Sequence, residues 1–197
     1  MKTIGILGST GSIGMQALEI IKNNNQIFLV DYLYSNSNYK TLYKQILDFS
    51  PSYACINDEE SYENLSELVG ANSDTKIIFG SNNAINFISS RSVDLVLNAI
   101  VGIDGLKPTM AVINNNIDIA LSNKESLVLA GEIVMNKAKN NNVNIFPIDS
   151  EHSAIWQCLI CENNNNIKRL ILTGSGGPFR KLSKNNFDKI RIKDALN

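Results

Sequence analysis

The chain has 197 residues, 44% of them hydrophobic and 19% charged, enough apolar material for one substantial core and part of a second. Lys and Arg number 18 against 19 Asp and Glu, so the formal charge is -1 and no basic field exists to hold a nucleic-acid backbone or an anionic membrane surface. No apolar run approaches the ~20 residues of a membrane span, and Met1-Lys2 leads directly into a strand pattern, which makes the cytoplasm the expected compartment.

Thr3 to Leu7 reads as a short buried strand, and Gly8, Gly11 and Gly14 then mark a tight turn into a helix starting near Ser12. Glycines belong there because a Cβ would block close approach to a pyrophosphate seated on the free N–H groups of the helix N-terminus. The spacing, G-x-x-G-x-x-G, is a variant that suits dinucleotide reductases, although a glycine turn without a ligand has the same letters. Ile13, Ala17, Ile20 and Ile21 recur at helical spacing behind it.

The second strand, Ile27 to Tyr34, ends in Ser35-Asn36-Ser37-Asn38. An acid at that end would bind a ribose 2′-hydroxyl and repel a 2′-phosphate, so its absence favours NADP(H). Asp31, inside the strand, is the residue most able to reverse that preference.

Further strands are expected at Tyr53 to Ile56, Lys76 to Phe79, Val93 to Ile100, Ile117 to Leu121 and Val143 to Ile148, with only a short helix over Ser81 to Ser90. Asparagine runs at 23–25, 114–116, 140–142 and 163–166 mark loops. Strands alternating with helices predict an α/β fold, a doubly wound parallel sheet with right-handed crossovers.

Asn123-Lys124-Glu125-Ser126 follows the sixth strand, which puts Lys124 at the carboxyl edge of the sheet, where it can neutralise a phosphate or an enolate. A solvated lysine in the first turn of the next helix, carrying Leu127, Ala130, Val134 and Ala138, fits the same letters. After the seventh strand come Asp149 and Glu151. On an extended segment they point to one face and can share Mg²⁺ or Mn²⁺; as N-cap and first-turn acid of a helix they would be structural.

A helix is expected from about Glu151 to Cys161, with Cys158 and Cys161 as reduced core thiols rather than a redox or zinc pair. A strand over Lys168 to Thr173 should then run into Gly174-Ser175-Gly176-Gly177-Pro178, an anion nest or a turn. The last residues, 185–197, are polar with modest helical spacing, as though the chain stopped inside an architecture.

The ordered set of Gly8 to Gly14, Asn123 to Ser126, Pro147-Ile148-Asp149-Ser150-Glu151-His152 and Thr173 to Phe179 resembles the 1-deoxy-D-xylulose 5-phosphate reductoisomerases. The resemblance implies a Rossmann-like NADPH-binding domain over 1–148 and the first part of an α+β catalytic domain over 149–197. It implies that Gly8, Thr10, Gly11, Ser12, Ile13, Asn36, Ser37 and Asn38 hold NADPH, with Asn123 and Glu125 beside the cofactor. Lys124, Ser150, Glu151 and Ser175 would bind the phosphorylated sugar, Asp149 and Glu151 a Mg²⁺ or Mn²⁺ ion, and Lys124, Asp149 and Glu151 would be catalytic.

The implied reaction converts 1-deoxy-D-xylulose 5-phosphate to 2-C-methyl-D-erythritol 4-phosphate for isoprenoid synthesis, in an enzyme expected to be a homodimer when intact. Family members continue past this point, so the 197 residues are expected to be a fragment without turnover of its own. The family also shows Gly-Lys-Asn where this chain has Asn36-Ser37-Asn38. The alternatives are another NADP-dependent reductase, which would need a nucleophilic cysteine at the cofactor edge, and a non-catalytic dinucleotide-binding remnant.

Overall fold

The computed structural model describes residues 1–70, 73–160, 162, 166–171 and 177–195. Seven strands form one parallel sheet in the order β4-β3-β2-β1-β5-β6-β7: β1 Lys2–Leu7, β2 Phe28–Ser35, β3 Tyr53–Ile56, β4 Lys76–Phe79, β5 Leu95–Asn98, β6 Asp118–Leu121 and β7 Ile145–Pro147. These are the seven runs expected from β-branched and aliphatic patterning, with the fifth, sixth and seventh trimmed at their ends.

Helices α1 Ser12–Asn23, α2 Tyr39–Phe49, α3 Glu59–Val69, α4 Ser81–Ser90, α5 Leu106–Asn114 and α6 Lys124–Asn140 connect the strands. Leu18, Ile21, Leu42, Ile46 and Leu65 from α1 to α3 pack with Ile6, Leu33 and Ile56 on one face. Ile88, Val112, Ile113 and Val134 from α4 to α6 pack with Leu7, Val96 and Ile119 on the other. Each fully buried aliphatic side chain contributes ~1.5–3 kcal/mol, and alternation along the strands feeds both cores at once.

Both helical stripes of the spacing argument pack on the core, with some other residues buried more deeply. On α1 the buried residues are Gly14, Leu18 and the expected Ile21. Ile13 and Ala17 pack half-buried against the same core, and with Ile20 they also line an open apolar groove beside Phe28, Leu97 and Ile148. Ile20 is 60% exposed. The reason is steric: Gly14 lets the first turn of α1 lie against the loop after β1, and that contact sets the rotation of the helix. On α6, Ala130 breaks the helical dihedrals (φ -141°, ψ 28°), yet Val134 and Ala138 are buried and Leu127 and Ala130 pack half-buried on the same core, with Ser126 buried beside them.

The chain divides into two compact units, Met1–Ser153 and Ala154–Asn197. Helix α7 Ser150–Leu159 begins one residue before the expected start. Cys158 is exposed, contrary to the core thiol expected, because α7 has no buried residues; Cys161 lies outside the described residues. In the second unit 167–171 carry no regular structure, where the start of a strand was expected, and Leu172 to Gly176 lie outside the described residues. A 3-10 segment Lys184–Lys189 and a short helix α8 Ile192–Ala195 follow.

Candidate active site

The strand order reverses between β1 and β5, so their carboxyl ends diverge, and a cleft of about 700 Å³ opens there. One wall is the glycine loop. Gly8 has φ +79°, and a Cβ on it would stand 2.7 Å from the Ala99 carbonyl oxygen. A Cβ on Gly14 would collide with the Gly8 carbonyl oxygen and the Ser9 Cα, so the loop folds back on α1 only with glycine at both places.

Gly8 and Ser9 donate their N–H groups to the Tyr34 carbonyl at 2.9 and 3.0 Å. The Thr10 and Ser35 hydroxyls lie 2.9 Å apart, and the buried Gln45 Nε2 donates to the Ser9 carbonyl at 2.9 Å. The loop is thus clamped from β2 and α2. No side chain caps the N-terminus of α1 and no acid stands in its first turn, which leaves its N–H groups and positive dipole end for an anion.

The opposite wall is Ala99, Ile100 and Val101 after β5. Asn123, 2% exposed, shapes it: Nδ2 donates to the carbonyls of Ile100 at 2.6 Å and Gly102 at 2.8 Å, with Glu125 Oε2 at 3.3 Å. Its Oδ1 accepts from the Ser126 amide at 3.1 Å, and also from the Ser126 hydroxyl. The side chain is fully engaged by the protein, so its effect on anything in the cleft runs through residues 100–102.

Gly8, Thr10, Gly11 and Asn36 line the cleft as expected. Ser12, Ile13, Ser37, Asn38, Asn123 and Glu125 do not. Ile13 faces the apolar groove, Asn38 Oδ1 caps α2 through the Thr41 amide at 3.1 Å, and the Ser37 carbonyl accepts from the Ser61 hydroxyl at 2.8 Å. Tyr34, Asn57, Ser81, Asp104 and Lys107 line the cleft without having been singled out. All but Tyr34 follow the carboxyl ends of β3, β4 and β5, so the sheet-edge rule applied to every strand would have found them. Burial first, then the nearby Cys55 and Asp104, push the Tyr34 phenol up, so it stays a neutral donor.

Beside this wall, Lys124 Nζ at the start of α6 pairs with Asp149 Oδ2 at 2.8 Å, and His152 Nδ1 lies 2.9 Å from Asp149 Oδ1. The Lys124 hydrogen bond holds the Asp149 carboxyl below the usual carboxylate range, against the opposing effect of burial and with help from His152. Asp149 in turn holds the Lys124 ammonium above its usual range, and the charges of Glu151 and Glu125 add to this.

Of the two geometries open to Asp149 and Glu151, the structure has the helical one. Helix α7 begins between them, and the Ser153 amide donates to the Asp149 carbonyl at 2.8 Å, as in a helical first turn. Helical neighbours two apart do not face each other. Glu151 Oε2 accepts from the Ser150 hydroxyl at 2.7 Å.

Among the described residues no group of three His, Cys, Asp or Glu side chains is placed to hold a metal ion. The donor chemistry at Asp149 nevertheless fits a hard cation: both carboxylate oxygens are turned toward basic groups, and Glu151 adds a second carboxylate close by. Two such ligands would leave most of an octahedral shell to water or to substrate oxygens. Ser175 lies outside the described residues.

A family model described as 1-deoxy-D-xylulose 5-phosphate reductoisomerase matches residues 4–131, and the model of that enzyme's C-terminal domain matches residues 145–197. The chain belongs to the 1-deoxy-D-xylulose 5-phosphate reductoisomerase family. A 1-deoxy-D-xylulose 5-phosphate reductoisomerase of Lachnospira eligens is 44% identical over 196 residues, which cover 100% of this chain and 51% of the relative. The enzyme from Zymomonas mobilis, solved in complex with NADPH, superimposes with TM-score 0.84 at 36% identity, over 92% of this chain and 48% of that one. A further reductoisomerase structure holds NADPH, fosmidomycin and magnesium; it matches with TM-score 0.82 and 37% identity, over 100% of this chain and 51% of that one. The chain spans about half the length of the curated reductoisomerases it matches. Among its described residues no helix is long and apolar enough to cross a membrane.

Proposed function

We propose that the chain forms the NADPH-binding domain, over 1–148, and the first part of the catalytic domain, over 149–197, of a 1-deoxy-D-xylulose 5-phosphate reductoisomerase. One observation carries the reading. Consecutive residues join the two halves of the site: Asn123 holds the cleft wall at Ile100, and Lys124 holds Asp149. A nucleotide in the cleft and an ion or sugar at Asp149 would therefore lie on one sheet edge, the arrangement that reduction of a metal-bound sugar needs.

In this reading the α1 N-terminus and the loop at Gly8, Thr10 and Gly11 bind the pyrophosphate, and the apolar stretch Ala99 to Val101 orients the nicotinamide while excluding water. NADPH would supply hydride. Asp149 and Glu151 would hold Mg²⁺ or Mn²⁺, which polarises the oxygens of the ketose during skeletal rearrangement and so stabilises developing negative charge. Lys124, kept protonated by Asp149, neutralises an oxygen of the phosphorylated sugar, and Ser150, whose hydroxyl here donates to Glu151, would exchange that partner for a substrate oxygen. The assignment of Ser175 to substrate, a homodimeric assembly and a cytoplasmic location belong to the same proposal.

A reductase working through a nucleophilic cysteine is disfavoured among the described residues. Cys55 is fully buried with its thiol pushed up to about 12 by burial, and the exposed Cys158 is not among the residues that line the cleft. Calorimetry separates this reading from a dinucleotide-binding remnant. The reading expects NADPH binding, and Mn²⁺ binding that tightens when substrate is added; a remnant binds nucleotide with no coupled metal or sugar.

A further inference from the structure

The ends of β2 and β3 are tied together by Asn57. Its backbone N–H and that of Asp58 both donate to the Asn36 carbonyl at 3.0 Å, and its side-chain Nδ2 donates to Asn36 Oδ1 at 3.0 Å. Asn36 and Asn57 both line the cleft on the side where β2 ends, beside Tyr34 and opposite the loop after β5. In a nucleotide-binding sheet of this kind, the group just past the second strand meets the adenosine ribose.

The side-chain amide of Asn36 has an oxygen with two lone pairs and a nitrogen with two N–H groups, and here the oxygen is the end turned to Asn57. What Asn36 can offer is its Nδ2, which suits an oxyanion. The reverse amide orientation would offer a carbonyl oxygen, which suits a ribose hydroxyl donor instead. Asp58, next to Asn57 in the chain, is spent on α3: its carboxylate accepts from the Ser61 amide at 2.9 Å and the Ser61 hydroxyl at 2.7 Å. Asp31, the acid inside β2, is held by Arg91 through Nε at 2.6 Å and Nη2 at 2.5 Å.

We propose that Asn57 is the positioning residue for nucleotide selection: by occupying Asn36 Oδ1 it turns the Asn36 amide donors to the cleft and so favours the 2′-phosphate of NADPH over the 2′-hydroxyl of NADH. The inference rests on the cofactor reading above. It adds a residue outside the segment 36–38, and acts on the ratio of two affinities rather than on either one.

The test uses the full 197-residue chain, titrated with NADPH and with NADH by fluorescence or calorimetry. Asn57→Ala removes the donor and should lower the NADPH-to-NADH affinity ratio several-fold. Asn57→Asp should lower it tenfold or more, because a carboxylate can only accept, which draws the Asn36 donors inward and adds a repelling charge. A residue that merely braced the loop would weaken both nucleotides alike and leave the ratio unmoved. An unchanged ratio in both variants, each folded by circular dichroism, overturns the role of Asn57 while the cofactor reading stands. Wild-type chain that binds neither nucleotide overturns the cofactor reading itself, and this inference with it.

Discussion

Lys124 Nζ stands 2.8 Å from Asp149 Oδ2, joining the first residue of α6 to the residue just before α7. The two strands involved are neighbours in the sheet, with Leu121 of β6 opposite Pro147 of β7, so the pair forms just beyond their shared carboxyl edge. A cation already sits where a metal ion would bind, and the two would compete for one carboxylate oxygen.

Replacing that lysine separates the two roles. With Lys124→Ala, Asp149 loses its ammonium, and Mn²⁺ should bind this chain about threefold to tenfold more tightly, as expected when a solvent-facing competing cation is removed. Asp149→Asn should remove detectable binding. Electron paramagnetic resonance of free Mn²⁺ reads both, and Mn²⁺ affinity unaltered in both variants would mean that the ion does not use Asp149.

Gly14→Ala forces a methyl group into the Gly8 carbonyl and the Ser9 backbone, neither of which can swing away as a flexible side chain would. The cost should be about 1–3 kcal/mol of stability, with NADPH affinity reduced at least tenfold because the loop can no longer present its N–H groups. Thermal unfolding and nucleotide fluorescence quenching should therefore change together.

Arg91 binds both oxygens of Asp31, whose side chain is only 8% exposed, and stacks on the Tyr53 ring with its guanidinium 4.9 Å from the centroid. Asp31 is also the residue skipped by the β1–β2 register, where Ile4 faces Val30 and Gly5 faces Tyr32. Arg91→Ala leaves a buried carboxylate without its partner and should cost about 1–3 kcal/mol, since the arginine is partly exposed. The melting temperature should fall by several degrees while the NADPH-to-NADH ratio stays constant; a changed ratio would return Asp31 to the nucleotide site.

Asp94 accepts from both the backbone N–H and the hydroxyl of Thr3, at 2.7 and 2.8 Å, and these hydrogen bonds hold its carboxyl below the usual range. A depressed folded-state value contributes stability that is complete above the unfolded value, about pH 4, and is lost as pH falls through the lower folded one. Melting temperature followed from pH 7 into acid should therefore fall less steeply in Asp94→Asn than in wild type. Parallel curves would show that this carboxylate is not among the groups that drive acid unfolding.

Much of this arrangement was legible in the letters. β-branched runs spaced by amphipathic stretches marked all seven strands and the doubly wound class, and Gly8, Gly11 and Gly14 marked the turn into α1. The rotation of α1 was not legible, because Gly14 counts as neither apolar nor polar in a periodicity argument, yet its missing side chain decides how α1 sits. Nor was the meaning of Asp31. Its partner Arg91 is 60 residues away, and only the folded sheet makes them neighbours. Asp149 and Glu151 suited both an extended chelating pair and a helix start, and α7 beginning at Ser150 decided for the helix.

By itself the amino-acid order determined what is local: periodicity, glycine placement and the four ordered motifs that carry the family resemblance, since each depends on residues within a turn or a strand of one another. Only the tertiary structure decided how side chains are spent. Asn123, Asn38 and Asp31 read as free polar groups along the chain, but each is consumed by a protein partner, whereas Asn57 and Tyr34 reach the cleft. The physical reason is that a buried donor or acceptor must find a partner or destabilise the fold, and which partner is in reach depends on strands brought side by side from distant parts of the chain.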